Sequence, residues 1–463
     1  MPFAIPDSPF PMFTDATSLL PNNRPGFYYG IAVVDLDRDG AFEVVVAGYA
    51  GPNRVFKWSE DRFVEVNDDV LADAQRQAIG LAAGDFDGDG WEELYVLNSD
   101  SFAGLKLFSD RLFDFDGQRW RDLFIAEGDT DLLNMTAGRS VCAIDRLGAS
   151  RYGFFVANYG GPMRLYELTE DGRIVDVAPY AGLDATTGGR SLLSFPFVSP
   201  HMDLVCGNEG GPNFVFRNRG DGTFEEIAAE LGLDDPDEHA RGIAPVWMGD
   251  DWGLVVGNWE GPHRLFRRGD DGIFEDVATG DFATPSHVRT VIVADFDNDG
   301  HEEILFNNIG DPNRLFAIRE GEWIEVPIGD AQERGGHGTG AAIGDFDLDG
   351  RLELLIAHGE AALQPLTCYQ SIANENRFLR VLPRTIEGAP ARGSIVTVRA
   401  GERLWKRVID SGSGYLCQME PVAHFGLGNL DAIDSIEVAF PTGRKITFDH
   451  HEVNCLVELR DEE

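Results

Sequence analysis

The sequence predicts an all-β protein: a seven-bladed β-propeller closed by its N-terminal strand, followed by a small antiparallel β-sandwich or barrel. Three observations lead there. A loop of the form Asn-x-x-Gly-Pro returns at a spacing near fifty residues. Short β-branched and aromatic runs, four per repeat, alternate with Gly, Pro and Asp turns and show almost no helical periodicity. Near residue 373 the period stops and a different alternating pattern begins.

Taken in order, the first run is Phe13-Thr-Asp-Ala-Thr17, an orphan with no partner nearby in sequence. The loops follow: Tyr49-Ala-Gly-Pro-Asn53, Asn158-Tyr-Gly-Gly-Pro162, Asn208-Glu-Gly-Gly-Pro212, Asn258-Trp-Glu-Gly-Pro262 and Asn308-Ile-Gly-Asp-Pro312. Two degenerate copies, at Ser101–Gly104 and Gly359–Gln364, bring the count to seven, with an insertion near Leu107–Trp120. A run such as Glu43–Gly48 precedes each loop and one such as Arg314–Ile318 follows it. Short fourth runs come next: Phe63–Val66, Phe224–Ile227, Phe274–Val277 and Trp323–Val326. The last repeat lacks this fourth run, and Phe13–Thr17 matches it. The orphan is therefore expected to complete the last blade and leave no open edge around the ring. Residues 1–373 form the propeller in this reading. Residues 374–463 form the second domain, with strands expected at Phe378–Leu382, Ser394–Val398, Leu404–Ile409, Ser435–Phe440, Lys445–Phe448 and Cys455–Leu459.

The charge is lopsided. The 463 residues hold 38 Lys and Arg against 79 Asp and Glu, a net charge of −41. That argues against nucleic acid as a partner, which needs a basic face, and favours bound cations. The last ninety residues carry 11 basic and 14 acidic side chains, so the acidity belongs to the repeats. No apolar run is long enough to cross a membrane, so no membrane insertion is expected. The start, Met1-Pro-Phe-Ala-Ile-Pro-Asp7, has neither a basic nor an apolar leader segment, so no secretory signal is expected in the chain as given. Five scattered cysteines form no Cys-x-x-Cys pair; they read as buried thiols, or as one disulfide in an oxidising compartment. Asn134-Met-Thr136 is a formal glycosylation site if the chain is secreted.

The acidity has a pattern. Four loops read Asp-x-Asp-x-Asp-Gly-x-x-Glu: Asp35, Asp37, Asp39 and Glu43; Asp85, Asp87, Asp89 and Glu93; Asp295, Asp297, Asp299 and Glu303; Asp345, Asp347, Asp349 and Glu353. Carboxylates at alternate positions of a tight turn converge on one point and repel unless a hard cation sits among them. Ca²⁺ tolerates such an irregular oxygen cage better than Mg²⁺. The residue after the glycine (Ala41, Trp91, His301, Arg351) is expected to add a backbone carbonyl. About four structural Ca²⁺ are expected, on blades one, two, six and seven. Blades three to five keep only Asp145-Arg-Leu-Gly148, Phe195–Pro200 and Gly249–Gly253 in the corresponding places.

Aligning the innermost strands places Arg139, Arg190, Arg241 and Arg289 at one equivalent position, with Tyr29, Ile79 and Thr339 in the other blades. First strands line a propeller's axis. The arginines are therefore expected to bound an anion-attracting depression for a small anionic ligand or a protein partner's carboxylates, with inter-blade salt bridging the competing reading. His239, His287 and His337 precede such strands and read as bland rim residues. The chain has no nucleophile elbow, Walker loop, dinucleotide fingerprint or His-Glu-x-x-His, and no catalytic residues are assigned.

The Asp-x-Asp-x-Asp-Gly blades resemble FG-GAP/VCBS propellers. Ser411-Gly-Ser-Gly-Tyr-Leu-Cys-Gln-Met-Glu-Pro-Val-Ala-His-Phe-Gly-Leu-Gly428, with Val438–Gly443, resembles the ASPIC/UnbV domain. With Pro11-Met-Phe-Thr-Asp15 at the start, the chain resembles the cartilage acidic protein family along nearly its whole length. The resemblance implies an acidic, calcium-binding, extracellular protein acting through interaction rather than catalysis. Its UnbV side implies an alternative: a cofactor-free intracellular enzyme of secondary metabolism, forming rings with the propeller mouth as its pocket.

Overall fold

The computed structural model describes residues 11–66, 68–128 and 132–462. The first ten residues, on which the expectation about a secretory signal falls, lie outside them. Seven antiparallel meanders of four strands follow one another: blade one at 28–66, two at 78–122, three at 138–176, four at 186–226, five at 240–276 and six at 288–326, with blade seven at 338–371 completed from the N-terminus. Each blade's first strand packs on the first strand of the next, and that of blade seven returns to that of blade one. Phe13–Asp15 is the fourth strand of blade seven, with Phe13 opposite Ser371 and Asp15 opposite Tyr369. Phe13 is fully buried and meets Phe296 of blade six edge-on at 5.0 Å.

Burial explains the sequence pattern. The second strand of blade one, Glu43–Gly48, is buried at every position and reads as a continuous apolar run. Its fourth strand, Arg62–Val66, lies at the rim and buries only Phe63, so it alternates.

The repeated loop is a turn closed by side chains. The amides of Asn158, Asn208, Asn258 and Asn308 donate to the carbonyls of Pro162, Pro212, Pro262 and Pro312 at 2.5–2.8 Å. Five residues after the turn's first residue, Asn53, Asn213 and Asn313 accept the backbone N–H of Gly48, Asn208 and Asn308. Blade five has His263 here, whose Nδ1 accepts the Asn258 N–H at 3.1 Å. One loop departs from expectation. Gly153–Pro162 stays extended and pairs directly with Thr186–Phe195, so blades three and four share one sheet.

The chain after residue 373 makes two sheets of its own around Leu379, Val381, Val396, Phe425 and Val438. Ile395–Ala400 pairs with Arg403–Val408 and Ser435–Ala439, which pairs with Lys445–Asp449. Arg377–Arg384 pairs antiparallel with Ala423–Gly428 and, the one exception to the antiparallel pattern here, parallel with Leu456–Arg460.

His263 makes the turn of blade five acid-sensitive. Burial pushes its pKa down to about 3, because the stacked Phe306 ring and the dry turn disfavour a cation. With the folded value below the unfolded one near 6.5, its stabilising contribution is complete above pH 6.5 and lost as pH falls towards 3. His263→Asn, which installs the residue used by the other turns, should flatten this part of the stability profile. In matched denaturant titrations the wild type should lose on the order of 4 kcal/mol more than the variant across that window.

Candidate metal loops and an axial pocket

The four acidic loops share one backbone scaffold. The first Asp of each (Asp35, Asp85, Asp295, Asp345) accepts the N–H of the loop glycine at 2.9–3.2 Å. The third Asp (Asp39, Asp89, Asp299, Asp349) accepts from Ala41, Trp91, His301 and Arg351. The closing Glu (Glu43, Glu93, Glu303, Glu353) reaches back to the N–H of Leu36, Phe86, Phe296 and Phe346. These bonds occupy one oxygen of each closing Glu, while Asp85 and Asp295 accept loop amides on both of theirs. In each loop, oxygens from three acidic residues fall within 4.8 Å of one another. Asp35 Oδ1, Glu93 Oε1, Asp299 Oδ2, Glu303 Oε1 and Asp345 Oδ1 are buried and find no hydrogen-bond partner among the described residues. Buried carboxylate oxygens without donors are costly, and a cation is the group that fits them. Burial, reinforced by the neighbouring aspartates, pushes Asp85 and Asp345 up to about 7 and Asp297 up to about 6.

Blades three and four have lost the cage for a physical reason. Asp145 and Asp203 spend their oxygens on the turn itself, accepting from Ala149 and Ser150 and from Val198 and Ser199. Blade one carries an unforeseen cation of its own. Lys57 Nζ lies 2.7 Å from Asp37 Oδ2, 2.7 Å from Asp39 Oδ2 and 2.8 Å from Glu43 Oε1.

At the opposite end of the same first strands lies a cavity of about 470 Å³. All seven equivalent positions line it: Tyr29, Ile79, Arg139, Arg190, Arg241, Arg289 and Thr339. The arginines also form salt bridges. Arg190 and Arg241 share Glu209, at 2.6 Å and 2.7 Å, and Arg289 meets Glu360 at 2.6 Å. Arg139 has no carboxylate partner among the described residues; it donates to the carbonyls of Ser101 and Phe102. Aromatic faces back the guanidiniums: Phe102 at 5.0 Å from Arg139, Tyr159 at 5.0 Å from Arg190 and Trp259 at 4.4 Å from Arg289. Burial works against the Glu209 charge, but Arg190 and Arg241 outweigh it and hold the carboxyl down at about 2. Of the three rim histidines, His287 is held between Asp311 and Glu260 at 2.8 Å and 3.1 Å, and none lines the cavity.

The sequence matches the family model of the FG-GAP-like repeat over residues 35–96 and 253–306, and that of ASPIC and UnbV over 385–463. Cartilage acidic protein 1 of Xenopus tropicalis is 45% identical across 97% of this chain and 77% of its own length. The Homo sapiens protein of that name is 44% identical across 98% and 76%. The chain belongs to the cartilage acidic protein family. A solved structure of YCF48 bound to D1 peptide aligns at a TM-score of 0.48 and 12% identity, so the blade count rests on the strand pairings above.

The ASPIC and UnbV segment contributes what the sequence did not reveal. Ser411–Glu420 runs into the axis of the propeller and pairs with inner strands of several blades. Ser411 exchanges backbone hydrogen bonds with Ser194, and Gly414 with Ile243. Gln418 accepts from Val33 and donates to Ile31, and the Leu416 carbonyl accepts from Leu81. The loop sets Tyr415, buried except where it meets the cavity, beneath the arginines as its floor. Burial raises the Tyr415 pKa, but Arg190, Arg289, Arg241 and Arg139 outweigh it, and the net shift is downward. The visible signal was the Ser-Gly-Ser-Gly run at 411–414, small residues that fit a channel lined by backbone.

The rest of this segment seals the acidic-loop end. Arg392 pairs with Glu92 at 2.8 Å, both buried, and Arg407 pairs with Glu302 at 3.1 Å. Glu92 and Glu302 directly precede the closing glutamates. Trp405 donates to the Gly300 carbonyl at 3.0 Å, and Arg380 meets Asp345 at 3.2 Å. Arg392→Met should lower stability by about 3–5 kcal/mol, because Glu92 is left charged in a dry site. Adding Glu92→Gln should recover a large part of that loss in chemical denaturation.

Proposed function

We propose that the chain is a calcium-stabilised interaction module that works outside the cell. Residues 1–373 act as the propeller and 374–463 as an ASPIC/UnbV-like unit that locks its axis. The buried, unpartnered carboxylate oxygens of the acidic loops carry the calcium reading. Bound there, calcium supplies positive charge that ties the first strand of a blade to its second. The chain's residues do the rest: the glycine turn presents the oxygens, and the C-terminal arginines hold the neighbouring glutamates away from the cage. The family supports the extracellular setting.

The axial pocket is the docking site in this reading. Its volume lies within the range of small-ligand pockets. Arg139 keeps a guanidinium face for an incoming carboxylate, while Glu209 and Glu360 fix its three companions in place. It suits one acidic side chain or a small anion backed by aromatic rings.

Two experiments check the two halves. Chelation should lower the melting temperature markedly, since each site filled at a hundred times its dissociation constant adds about 2.7 kcal/mol. A melt unchanged in EDTA, with metal analysis confirming removal, would refute the calcium half. For the pocket, a Glu-rich peptide titrated into the full chain by calorimetry should bind at least about tenfold more weakly to Arg139→Ala. Equal binding of the Gln-for-Glu peptide refutes the anion half.

A further inference from the structure

We propose that the four acidic loops are not equivalent: blades two, six and seven take a divalent cation, whereas in blade one the ammonium of Lys57 serves as a built-in counter-ion. This inference rests on the calcium reading above and makes it more specific.

The argument starts from the third strand of each blade. In blade one, the residue paired with the closing Glu43 is Lys57. In blade seven the residue paired with Glu353 is Gln370. The register of blades two and six places Asp114 opposite Glu93 and Ala317 opposite Glu303. One structural position thus offers an ammonium, an amide, a carboxylate and a methyl group. Only the first is a cation, and it reaches the cage.

Lys57 contacts three of the four carboxylates that would hold a metal, each at 2.7–2.8 Å. A divalent cation needs those same oxygens at about 2.3–2.6 Å. The two cations would share ligands at close range, and their repulsion removes most of what the carboxylates gain from the metal. Asp35 Oδ1 has no partner, but the Asp37, Asp39 and Glu43 oxygens that would complete a cage with it already face the ammonium. Basic side chains also approach the other loops, and Arg351 bonds Asp349 Oδ2 of blade seven, but each of these loops keeps a buried oxygen with no partner. Arg380 meets Asp345 Oδ2, which already accepts the Gly350 N–H, and Oδ1 remains without a partner. Arg319 stands 3.9 Å from Asp299, and Glu303 Oε1 remains open. Arg121 is spent on Asp114, outside the loop of blade two.

Enclosure agrees. An added Cβ on the loop glycines of blades two, six and seven would meet the C-terminal unit, at Glu387, Trp405 and Phe378. On Gly40 of blade one it would meet nothing within 4 Å, and the Asp37 and Asp39 side chains are 53% and 51% exposed. An intramolecular ammonium needs no sealed, dehydrated cage, and blade one has none.

The test counts ions on the full chain by calcium calorimetry and native mass spectrometry. The wild type should bind three. Lys57→Gln should bind four, and Gln370→Lys, which moves the ammonium to blade seven, should bind two. Far-ultraviolet circular dichroism and the melting temperature in excess calcium establish that each variant is folded. Four ions in the wild type, or an unchanged count in folded Lys57→Gln, overturns this inference and leaves the calcium reading standing. No ions in any of the proteins overturns the calcium reading and this inference with it.

Discussion

A ring of blades creates a problem at its own axis. Within its own blade each innermost strand is hydrogen-bonded on one side only, and seven such strands converge where there is little room for water. Here the edges are answered by peptide. Ser411–Glu420 supplies carbonyls and amides to Ser194, Ile243, Leu81, Ile31 and Val33, and the Gln418 and Ser411 side chains reach the amides of Ala83 and Ala143. Small residues are a physical requirement of this solution. Gly414 has φ +93°, and an added Cβ there would come within 2.9 Å of Thr290. The uncharged Ser-Gly-Ser-Gly run is what lets a chain occupy a channel lined by backbone.

Filling the axis ties the two functional ends together. Where a first strand leads to an acidic loop, as from Arg289 to Asp295, the two lie six residues and about 20 Å apart. The inserted loop contacts the middle of these strands and exposes Tyr415 at one end. The strand before it carries Arg407 to the other end, and Arg377–Arg384, paired with the strand after it, carries Arg380 there. Negative charge is thereby gathered at the sealed end and positive charge at the open one. Opposite charges kept apart across a packed core cannot neutralise each other, so each set is balanced at its own end: three of the arginines by Glu209 and Glu360, and the acids, in the reading proposed above, by bound cations.

Much of this was legible in the sequence, for local reasons. The turn that closes on Asn308 and Asn313, and the loop that wraps the Asp295 carboxylate around Gly300, are made by residues within five positions of each other. Their spacing is therefore their structure. The arginine position was legible because the repeat makes strand position a coordinate: aligning Arg139 with Arg289 also aligns them around an axis. What stayed hidden depends on distant contacts. Nothing near Lys57 in sequence points to Asp37, twenty residues away, and nothing near Tyr415 points to Arg190. The shared sheet of blades three and four escaped for a similar reason, since Pro162 reads as a turn until Thr186 pairs with it.

The repeat also shows how a fixed scaffold accommodates chemical change. His263 takes over a bond made elsewhere by asparagine, presenting an acceptor nitrogen where the others present an oxygen, and the turn is unaltered. Lys57 stands where Gln370 and Ala317 stand, and the loop backbone keeps the same hydrogen bonds. Because the backbone of each turn is fixed by its own amides, a side chain that projects into it is free to differ from blade to blade. The differences then collect where side chains converge, at the cages and around the axis. That is why the blades are alike in fold and unlike in charge, and why the metal-type loops and the arginines occupy largely different sectors of one ring.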